Sequence, residues 1–236
     1  MVEIKPLQPH GQLEEVFDGV FFVTGTSTPV FQGQQFQFSR NMTVVRDGER
    51  LVLINTLRLD DAGLAKLDSL GKVDAIVKLG SFHGYDDPFY VDRYGPKLWA
   101  PAGMKHDNGL ETDVEMTADN LPLSDAELFL FDVELPEAIL RVDRSGGVLV
   151  SCDSLQNWLE PDAFFDEASK KMMGDFGFFK EANIGPGWRR SANPKRTCFD
   201  RLLGMSFSHL LSAHGTPLRD AAREKIKGSV EAAFAG

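Results

Sequence analysis

Two of the five histidines in this sequence, His83 and His214, lie in glycine-containing turns that follow apolar stretches. Asp153 likewise comes directly after an apolar stretch. Glycine allows a sharp turn, so an imidazole beside it can stand free of the backbone. With the pair Asp86 and Asp87, these residues form a set of nitrogen and oxygen ligands of the kind that binds zinc, iron or manganese. None of them has a histidine partner at the close spacing of a strong metal motif, so a site requires a fold that brings them together.

A β-hairpin is the clearest local prediction in the first third of the chain. Asp47-Gly48 is typical of a tight hairpin turn, and the apolar run over residues 51–54 predicts a mostly buried strand after it. The strand before the turn carries apolar residues with a period of two, namely Phe36, Phe38, Met42 and Val44.

The segments that follow predict a crossover leading to His83. Leucines at helical spacing over residues 59–70 predict a helix that a glycine ends, and residues 73–79 predict a short apolar strand. Strand, helix and strand in this order imply a layered α/β architecture. The loop of residues 80–88 then lies at the end of a strand, where functional loops of α/β proteins are found.

The second half of the chain predicts strands first and helices afterwards. Helical spacing begins near residue 164, a loop is expected over residues 183–195, and a second helical run covers residues 198–211, which include His209. A final helix is predicted with Thr216 as its cap and a buried stripe from Leu218 to Phe234. The predicted strands are residues 97–100, 113–116, 127–133, 138–142 and 148–152, with a hairpin turn at residues 145–147.

Length and composition set the class of protein. A chain of 236 residues that is 42% hydrophobic and 25% charged is typical of one globular domain, so we expect residues 1–236 to form a single domain. The 25 basic and 35 acidic residues give a formal net charge of −10, which disfavours nucleic acid and anionic membranes as partners. The two cysteines, Cys152 and Cys198, cannot form a disulfide framework, and we therefore expect a reducing compartment, the cytoplasm.

Taken in their order along the chain, the predicted elements and candidate ligands resemble those of the metallo-β-lactamase fold. The hairpin of residues 41–56, the strand that leads into the His83 loop, Asp153 at a strand end and the His-Gly-Thr-Pro stretch at His214 carry the resemblance, which covers most of residues 16–234. The resemblance implies an α/β fold, an αββα four-layer sandwich in which two sheets lie between helices. It also implies one or two metal ions at a shared edge of the sheets and the hydrolysis of an ester, amide, thioester or phosphoester.

Residue by residue, the match to the family is good at two positions and departs at the family's defining loop. Asp153 resembles the family's metal-bridging aspartate, and His214 resembles its last metal-binding histidine. The His-x-His-x-Asp-His loop of the family falls on residues 81–88, where His83 takes either the first or the second place. The first alignment also keeps Asp87 as the aspartate of the motif, and both alignments lose two histidines.

Two further positions differ from the family pattern. Asn55 stands where the family usually has an aspartate that supports the site. The middle of the second β-rich half has no histidine, and Glu134 or Glu137 is the nearest polar candidate there. These departures favour one ion over two.

The remaining candidates suffice for one catalytic ion. His83, Asp153 and His214, with Asp87 or Asp86, supply three or four protein ligands and leave a position open for water. Whichever aspartate is not a ligand would orient that water. We expect one divalent ion, with zinc as the first choice and iron or manganese also compatible with oxygen-rich ligation. In the competing interpretation both histidines bond to turn backbone and Asp153 caps a helix.

Tyr85 and Trp188 are candidates for lining a substrate pocket. Trp188 lies in a stretch of ten residues, 187–196, that holds four cations in an otherwise acidic chain. Arg189 and Arg190 in this stretch are predicted to clamp a carboxylate or phosphate, because guanidinium groups match such anions. The alternative is a solvated loop whose charges pair with surface acids.

Cys152 lies next to Asp153 and raises the hypothesis of a cysteine nucleophile with a histidine as base. Alternation along the strand puts its side chain with those of Val148 and Val150, on the face opposite Asp153. Cysteine is among the residue types most often buried, so we expect a buried thiol here rather than a nucleophile.

Two functions agree with the sequence. The first is a metal-dependent hydrolase of a small-molecule substrate, and the second is a non-catalytic protein of the same fold that has lost its metal site and acts as a binding or assembly module. Geometry discriminates between them, because His83, Asp153 and His214 must all reach within about 2.0–2.2 Å of a common ion in the hydrolase. Side chains that lie apart, each bonded to backbone, would favour the module. The oligomeric state is open at this stage, a homo-oligomer included.

Overall fold

Two β-sheets hold most of the strands of this protein, whose structure is a computed structural model that describes residues 3–31, 33–107 and 109–235. Within those residues the strands are β1 (Glu14–Phe17), β2 (Val20–Ser27), β3 (Val30–Phe31), β4 (Gln34–Gln35), β5 (Phe38–Asp47), β6 (Arg50–Ile54), β7 (Lys72–Val77), β8 (Lys97–Ala100), β9 (Val114–Glu115), β10 (Ala126–Leu130), β11 (Ala138–Val142), β12 (Val148–Ser151), β13 (Leu155–Trp158), β14 (Lys180–Ile184) and β15 (His209–Ser212). The helices are α1 (Asp61–Leu70), α2 (Asp87–Tyr94), α3 (Glu167–Asp175), α4 (Pro186–Ala192), α5 (Arg196–Leu202) and α6 (Ala222–Ala233). The larger sheet has the strand order β1-β2-β5-β6-β7-β8-β9, and the smaller has the order β10-β11-β12-β15. Two short pairs, β3 with β4 and β13 with β14, lie outside these sheets.

The two sheets pack face to face through apolar side chains. Alternate residues of β2, β5, β6 and β7 point toward the smaller sheet, and alternate residues of β11 and β12 point back. This inner core includes Val20, Val45, Val52 and Val77 from the larger sheet, and Leu140, Val148, Val150 and Cys152 from the smaller. Because Cys152 packs with Val148 and Val150, the prediction of a buried thiol on that face is confirmed.

Helices cover the outer faces of both sheets. Leu67 of α1 and Tyr90 of α2 pack with the outer side chains of the larger sheet. Trp188 of α4, Phe199 of α5 and Ile226 of α6 do the same on the smaller sheet. The order of layers is therefore helix, sheet, sheet and helix, which confirms the expected α/β class and the αββα four-layer sandwich. None of the helices in the described ranges is long and apolar enough to cross a membrane.

The predicted hairpin and the crossover after it are confirmed. β5 and β6 pair as far as Asp47 and Arg50, and the positive φ of 63° at Gly48 suits the tight turn between them. α1 then leads to β7, which pairs in parallel with β6. The helix begins at Asp61, two residues later than predicted, because the Asp60 carboxylate accepts a hydrogen bond from Gly63 N (2.7 Å) and caps it.

The helical run predicted over residues 198–211 is wrong in its second half. α5 ends at Leu202, and the chain from His209 onward forms β15, which pairs in parallel with β12. Pairing with a neighbouring strand and burial outweigh the local helical spacing here. His209 thus lies on a strand, where Nε2 donates to Ser145 O (2.9 Å) and Nδ1 accepts from Asp220 N (2.9 Å).

Other helix boundaries also differ from the prediction. The last helix begins at Ala222 rather than after Thr216, because Leu218 first pairs with Leu210 through two backbone hydrogen bonds of 2.9 Å. α4 forms inside the segment of residues 183–195 that was expected to be a loop, and α2 begins inside the loop of the first candidate histidine. Both helices start with a proline in the first turn, where its missing N–H costs no helical hydrogen bond.

The position of Trp188 corrects its assignment to a substrate pocket and generates a stability prediction. Its side chain is 1% exposed and packs edge-to-face against Phe131, with ring centroids 4.9 Å apart. We expect Trp188→Ala to lower the free energy of unfolding by about 3–5 kcal/mol, the usual cost of emptying such a core site. Urea denaturation measures this loss. Phe82→Ala is the control, because Phe82 is 58% exposed and should change stability by less than about 1 kcal/mol. Equal effects of the two substitutions would contradict this placement.

Candidate metal centre

His83, Asp153 and His214 converge at one edge of the two sheets. Asp153 and His214 follow β12 and β15, whose parallel pairing aligns Ser151 with Ser212. His83 reaches the same point from the loop after β7. The His83 and His214 Nε2 atoms are 3.1 Å apart. The carboxylate of Asp153 lies 3.2 Å from His214 Nε2 through Oδ1 and 3.4 Å from His83 Nε2 through Oδ2.

These separations fit the ligand spacing of a tetrahedral ion. With metal–ligand bonds of 2.0–2.2 Å, the donor atoms of a tetrahedral site lie about 3.3–3.6 Å from one another. The two Nε2 atoms are already 3.1 Å apart, and each is 3.2–3.4 Å from a carboxylate oxygen of Asp153, Oδ1 for His214 and Oδ2 for His83. Small adjustments would therefore bring one oxygen and both nitrogens round one ion. Two imidazoles and one carboxylate are also a donor set that zinc accepts with a position left for water.

The surroundings of His214 orient its Nε2 toward the cluster. Its Nδ1 lies 3.3 Å from the backbone oxygen of Ser39, which can only accept, so Nδ1 carries the proton and Nε2 keeps a free lone pair. The indole of Trp158 packs on the imidazole, with ring centroids 4.6 Å apart, and its N–H donates to Ser39 Oγ (2.9 Å). The next residue must be glycine, because Gly215 has a φ of 90° and a Cβ there would lie 2.2 Å from the backbone of Asn157.

Electrostatics favour the protonation states that a metal requires. Burial alone would raise the pKa of Asp153, but the proximity of His83 and His214 holds this pKa well below its usual range. Burial lowers the pKa of His83, and the negative charge of Asp153 only partly opposes that shift. Near neutral pH an ionised carboxylate thus faces a neutral imidazole at His83, and metals bind these forms.

Glu137 and Cys152 lie on the other side of Asp153. Of the two glutamates considered from the sequence, Glu134 is exposed, whereas Glu137 is buried and accepts a hydrogen bond from Ser154 N through Oε1. Cys152 Sγ lies 3.3 Å from Asp153 Oδ2. Burial, followed by the nearby charge of Asp153, raises the pKa of Glu137 and of the Cys152 thiol.

Asp86 and Asp87, the two aspartates next to the His83 loop, have partners other than the cluster. Asp86 forms a buried ion pair with Arg40 and accepts a hydrogen bond from Arg58 N (2.6 Å). Asp87 Oδ1 accepts from Thr56 Oγ1 (2.6 Å). Asp87 Oδ2 has no hydrogen-bond partner among the described residues. Neither carboxylate belongs to the three donor atoms that converge.

Sequence analysis missed two buried cations beside these aspartates. Arg40 lies in β5, and besides Asp86 it binds the backbone oxygen of Thr56 (2.8 Å). Lys78 directly follows β7, donates to Lys105 O (2.8 Å) and has a pKa lowered by burial. The only signal in the sequence is a charged residue within or directly after an otherwise apolar run, which marks a buried charge that needs a partner.

A pocket of about 360 Å³ opens beside the cluster. Tyr85 lines it, together with His83, Lys78 and six other residues, Glu3, Lys5, Ser81, Phe82, Gly84 and Asp107. Arg189 and Arg190 do not line it. Arg189 donates to Ala233 O (2.6 Å) at the end of α6, and the Arg190 guanidinium lies 5.2 Å from the ring centroid of Phe176. These contacts, like the burial of Trp188, correct the expectation that this stretch clamps a substrate at the pocket.

Solved metallo-β-lactamases share this architecture over nearly their whole length. FIM-1 from Pseudomonas aeruginosa, solved in its mono-zinc form, has 13% sequence identity, covers 96% of this chain and 97% of its own, and gives a TM-score of 0.59. VMB-1 has 12% identity, covers 97% of this chain and 99% of its own, and gives 0.64. The enzyme from Hirschia baltica has 14% identity, covers 94% and 97%, and gives 0.55. No protein-family model and no curated protein matches the sequence. The chain therefore has the metallo-β-lactamase fold, which confirms the resemblance inferred from sequence.

The buried ion pair of Arg40 and Asp86 generates a prediction about stability. Both side chains are 5% exposed, so Asp86→Ala leaves a buried guanidinium without its counter-charge. We expect a loss of about 3–5 kcal/mol in the free energy of unfolding, measured by urea denaturation. Adding Arg40→Met should recover part of this loss because it removes the unpaired charge.

The control for this prediction is Asp175→Ala. Asp175 pairs with Lys171 on the surface of α3, where both side chains are mostly exposed. Such a pair contributes less than about 1 kcal/mol. A loss in Asp86→Ala no larger than that in Asp175→Ala would contradict the role assigned to the buried pair.

Proposed function

We propose that this protein is a metal-dependent hydrolase of a small-molecule ester, thioester, amide or phosphoester, with one ion at His83, Asp153 and His214. The observation that carries the proposal is the convergence of three side chains: the two Nε2 atoms lie 3.1 Å apart, and each lies 3.2–3.4 Å from one of the two carboxylate oxygens of Asp153. Zinc is the first choice because a site of two imidazoles and one carboxylate suits it, and iron or manganese also accept this donor set.

A bound ion would supply a water of lowered pKa and an electrophilic centre for the substrate oxygen. In this proposal Asp153 and the two histidines hold the ion, and the proton of His214 stays on Nδ1, hydrogen-bonded to Ser39 O, throughout. Asp87 is the proposed proton acceptor for the attacking water. Its Oδ2 is unpartnered among the described residues, and burial raises its pKa toward the range where a carboxyl group accepts a proton and releases it again. Asp86 is not given this role because its carboxylate already pairs with the Arg40 guanidinium and accepts a hydrogen bond from Arg58 N.

The substrate is proposed to enter the pocket of about 360 Å³ beside His83. Phe82 and Tyr85 are 58% and 44% exposed there and offer apolar surface to a small molecule.

The net charge of −10 supports the exclusion of nucleic acid as a partner. Both cysteines are free thiols, which supports the cytoplasm as the proposed location. We also propose that residues 1–236 act as a single domain.

Loss of either histidine should remove the ion and the activity together. We expect His214→Ala and His83→Ala each to weaken binding of the first zinc equivalent at least about 100-fold, since even residues that only orient ligands contribute 10–100-fold. Calorimetry with zinc measures the affinity, and kcat/KM on a panel of ester, thioester, amide and phosphoester substrates should fall in parallel.

The control for these variants is His106→Ala. His106 bonds Thr112 (2.9 Å) and lies outside the cluster, so this variant should keep both zinc affinity and activity. Unchanged zinc affinity in His214→Ala would refute the ligand assignment. A wild-type protein that binds no zinc, iron or manganese and hydrolyses nothing in the panel would favour the non-catalytic module.

A further inference from the structure

Lys78 is a buried cation in the wall of the pocket beside the candidate metal centre. The residue directly follows β7 and is 3% exposed, and it lines the pocket together with His83. Within the described residues its ammonium donates to Lys105 O (2.8 Å) and forms no other hydrogen bond and no ion pair. A buried ammonium has three N–H donors and is costly to leave without partners. Part of its donor capacity is therefore left for a molecule in the pocket.

Gly84 lies between this ammonium and the carboxylate of Asp87. A Cβ at position 84 would lie 3.3 Å from Lys78 Nζ and 2.7 Å from Asp87 Oδ2. Both atoms thus lie around the bare α-carbon of one glycine, and Gly84 itself lines the pocket. Any larger residue would crowd both atoms. At this glycine a small molecule can meet a proton donor and a proton acceptor together.

Burial shifts both groups toward their neutral forms. It raises the pKa of Asp87. It lowers the pKa of Lys78, and the acidic groups that face this ammonium, Asp87, Cys152 and Asp107, only partly oppose the shift. The remaining titratable neighbour is His106, whose pKa is lowered by burial and by the charge of Lys78. A carboxylate that accepts a proton more readily, near an ammonium that releases one more readily, suits an acid–base pair.

We propose that Lys78 donates a proton to the leaving group in the proposed hydrolase reaction, in which Asp87 accepts a proton from the attacking water. This assignment rests on the proposed function, because it concerns the second proton transfer of the same reaction. It narrows the substrate class to amides and alkyl esters. Their nitrogen or alkoxide leaving groups need a proton in order to depart, whereas a thiolate or a nitrophenolate departs as a stable anion.

The two proton transfers balance over one turnover. The water oxygen forms a bond to the carbonyl carbon and loses a proton to Asp87. The bond from that carbon to the leaving nitrogen or oxygen then breaks, and the leaving atom takes a proton from Lys78 Nζ. Asp87 is left as a carboxyl group and Lys78 as a neutral amine. Passage of one proton from Asp87 to Lys78 through solvent restores both groups.

Three substrates with the same acyl group and different leaving groups test the assignment. The zinc-loaded full-length protein is assayed with p-nitrophenyl phenylacetate, ethyl phenylacetate and phenylacetamide, whose phenyl ring suits the apolar surface of Phe82 and Tyr85. We expect Lys78→Met to lower kcat/KM at least about 100-fold for the ethyl ester and the amide, because general acid catalysis contributes that much. For the nitrophenyl ester the loss should stay below about 5-fold, since its leaving group needs no proton.

Two further variants separate proton donation from charge and from pocket shape. Lys78→Arg keeps the positive charge but does not release a proton, so it should lose activity on the ethyl ester and the amide as Lys78→Met does. Lys5→Met is the matched control, because Lys5 lines the same pocket but pairs with Glu3 (2.6 Å). This variant should change kcat/KM by the same factor for all three substrates. All three variants should keep the wild-type zinc affinity in calorimetry.

Nuclear magnetic resonance of the metal-free protein gives a readout that needs no turnover. With ¹³C at the lysine side chains, the signal of Lys78 is the one absent from Lys78→Met or from Lys78→Arg. We expect it to titrate below about 10.4, the value of an ordinary lysine. A Lys78 signal that titrates at or above this value overturns the assignment. Circular dichroism checks that each variant is folded, and if Lys78→Met is not, Lys78→Arg and this titration decide.

The outcomes separate the proton donor from the proposed hydrolase. An equal loss on all three substrates in Lys78→Met, or full activity of Lys78→Arg on the ethyl ester and the amide, overturns the proton donor and leaves the hydrolase. Wild-type activity confined to thioesters or phosphoesters does the same. A wild-type protein that hydrolyses neither the phenylacetates nor any other member of the substrate panel overturns both.

Discussion

The parallel pairing of β12 with β15 is the constraint on which the candidate metal centre depends. Ser151 lies opposite Ser212, so Asp153 and His214, two residues further along each strand, leave the sheet side by side. Because side chains alternate along a strand, a slip of one residue would turn one of them away from the other. Ser212 reinforces this register, since its hydroxyl donates to Leu155 O (2.6 Å) and accepts from His214 N (3.0 Å).

Two buried asparagines tie the larger sheet to this strand pair. The Asn41 side chain donates to Ser212 O (2.9 Å) and Gly215 O (2.7 Å), and Asn55 donates to Ser151 O (2.9 Å). An aspartate at position 55 would have no N–H to offer Ser151 O, so this contact requires the amide. Asn55 has a φ of 56°, a conformation that asparagine tolerates better than most residues.

Sequence reasoning recovered the features that local pattern determines. Turn-forming residues and a period of two in the apolar residues predicted the hairpin of β5 and β6 and the apolar strands. Three of the side chains expected at strand ends, His83, Asp153 and His214, lie together. It failed where contacts distant in sequence decide the outcome. β15 was taken for helix because its strand partner is about 60 residues away, and Trp188 was taken for a pocket residue because its burial depends on Phe131 and Phe199. Arg40 could not be linked to Asp86 without the fold that brings β5 to the loop.

The His83 loop leads into two buried carboxylates, and cations from other parts of the fold balance their charge. The loop keeps one histidine and carries two adjacent aspartates, and two acids this close would repel each other inside a protein. Arg40 neutralises Asp86 through a direct ion pair, and the charge of Lys78 lowers the pKa of Asp87 against the effect of burial. Cations from outside the loop thus compensate both carboxylates, and in the proposed site neither needs a metal ion to balance its charge. The proposed ion would then be held by the three side chains that already face one another, His83, Asp153 and His214.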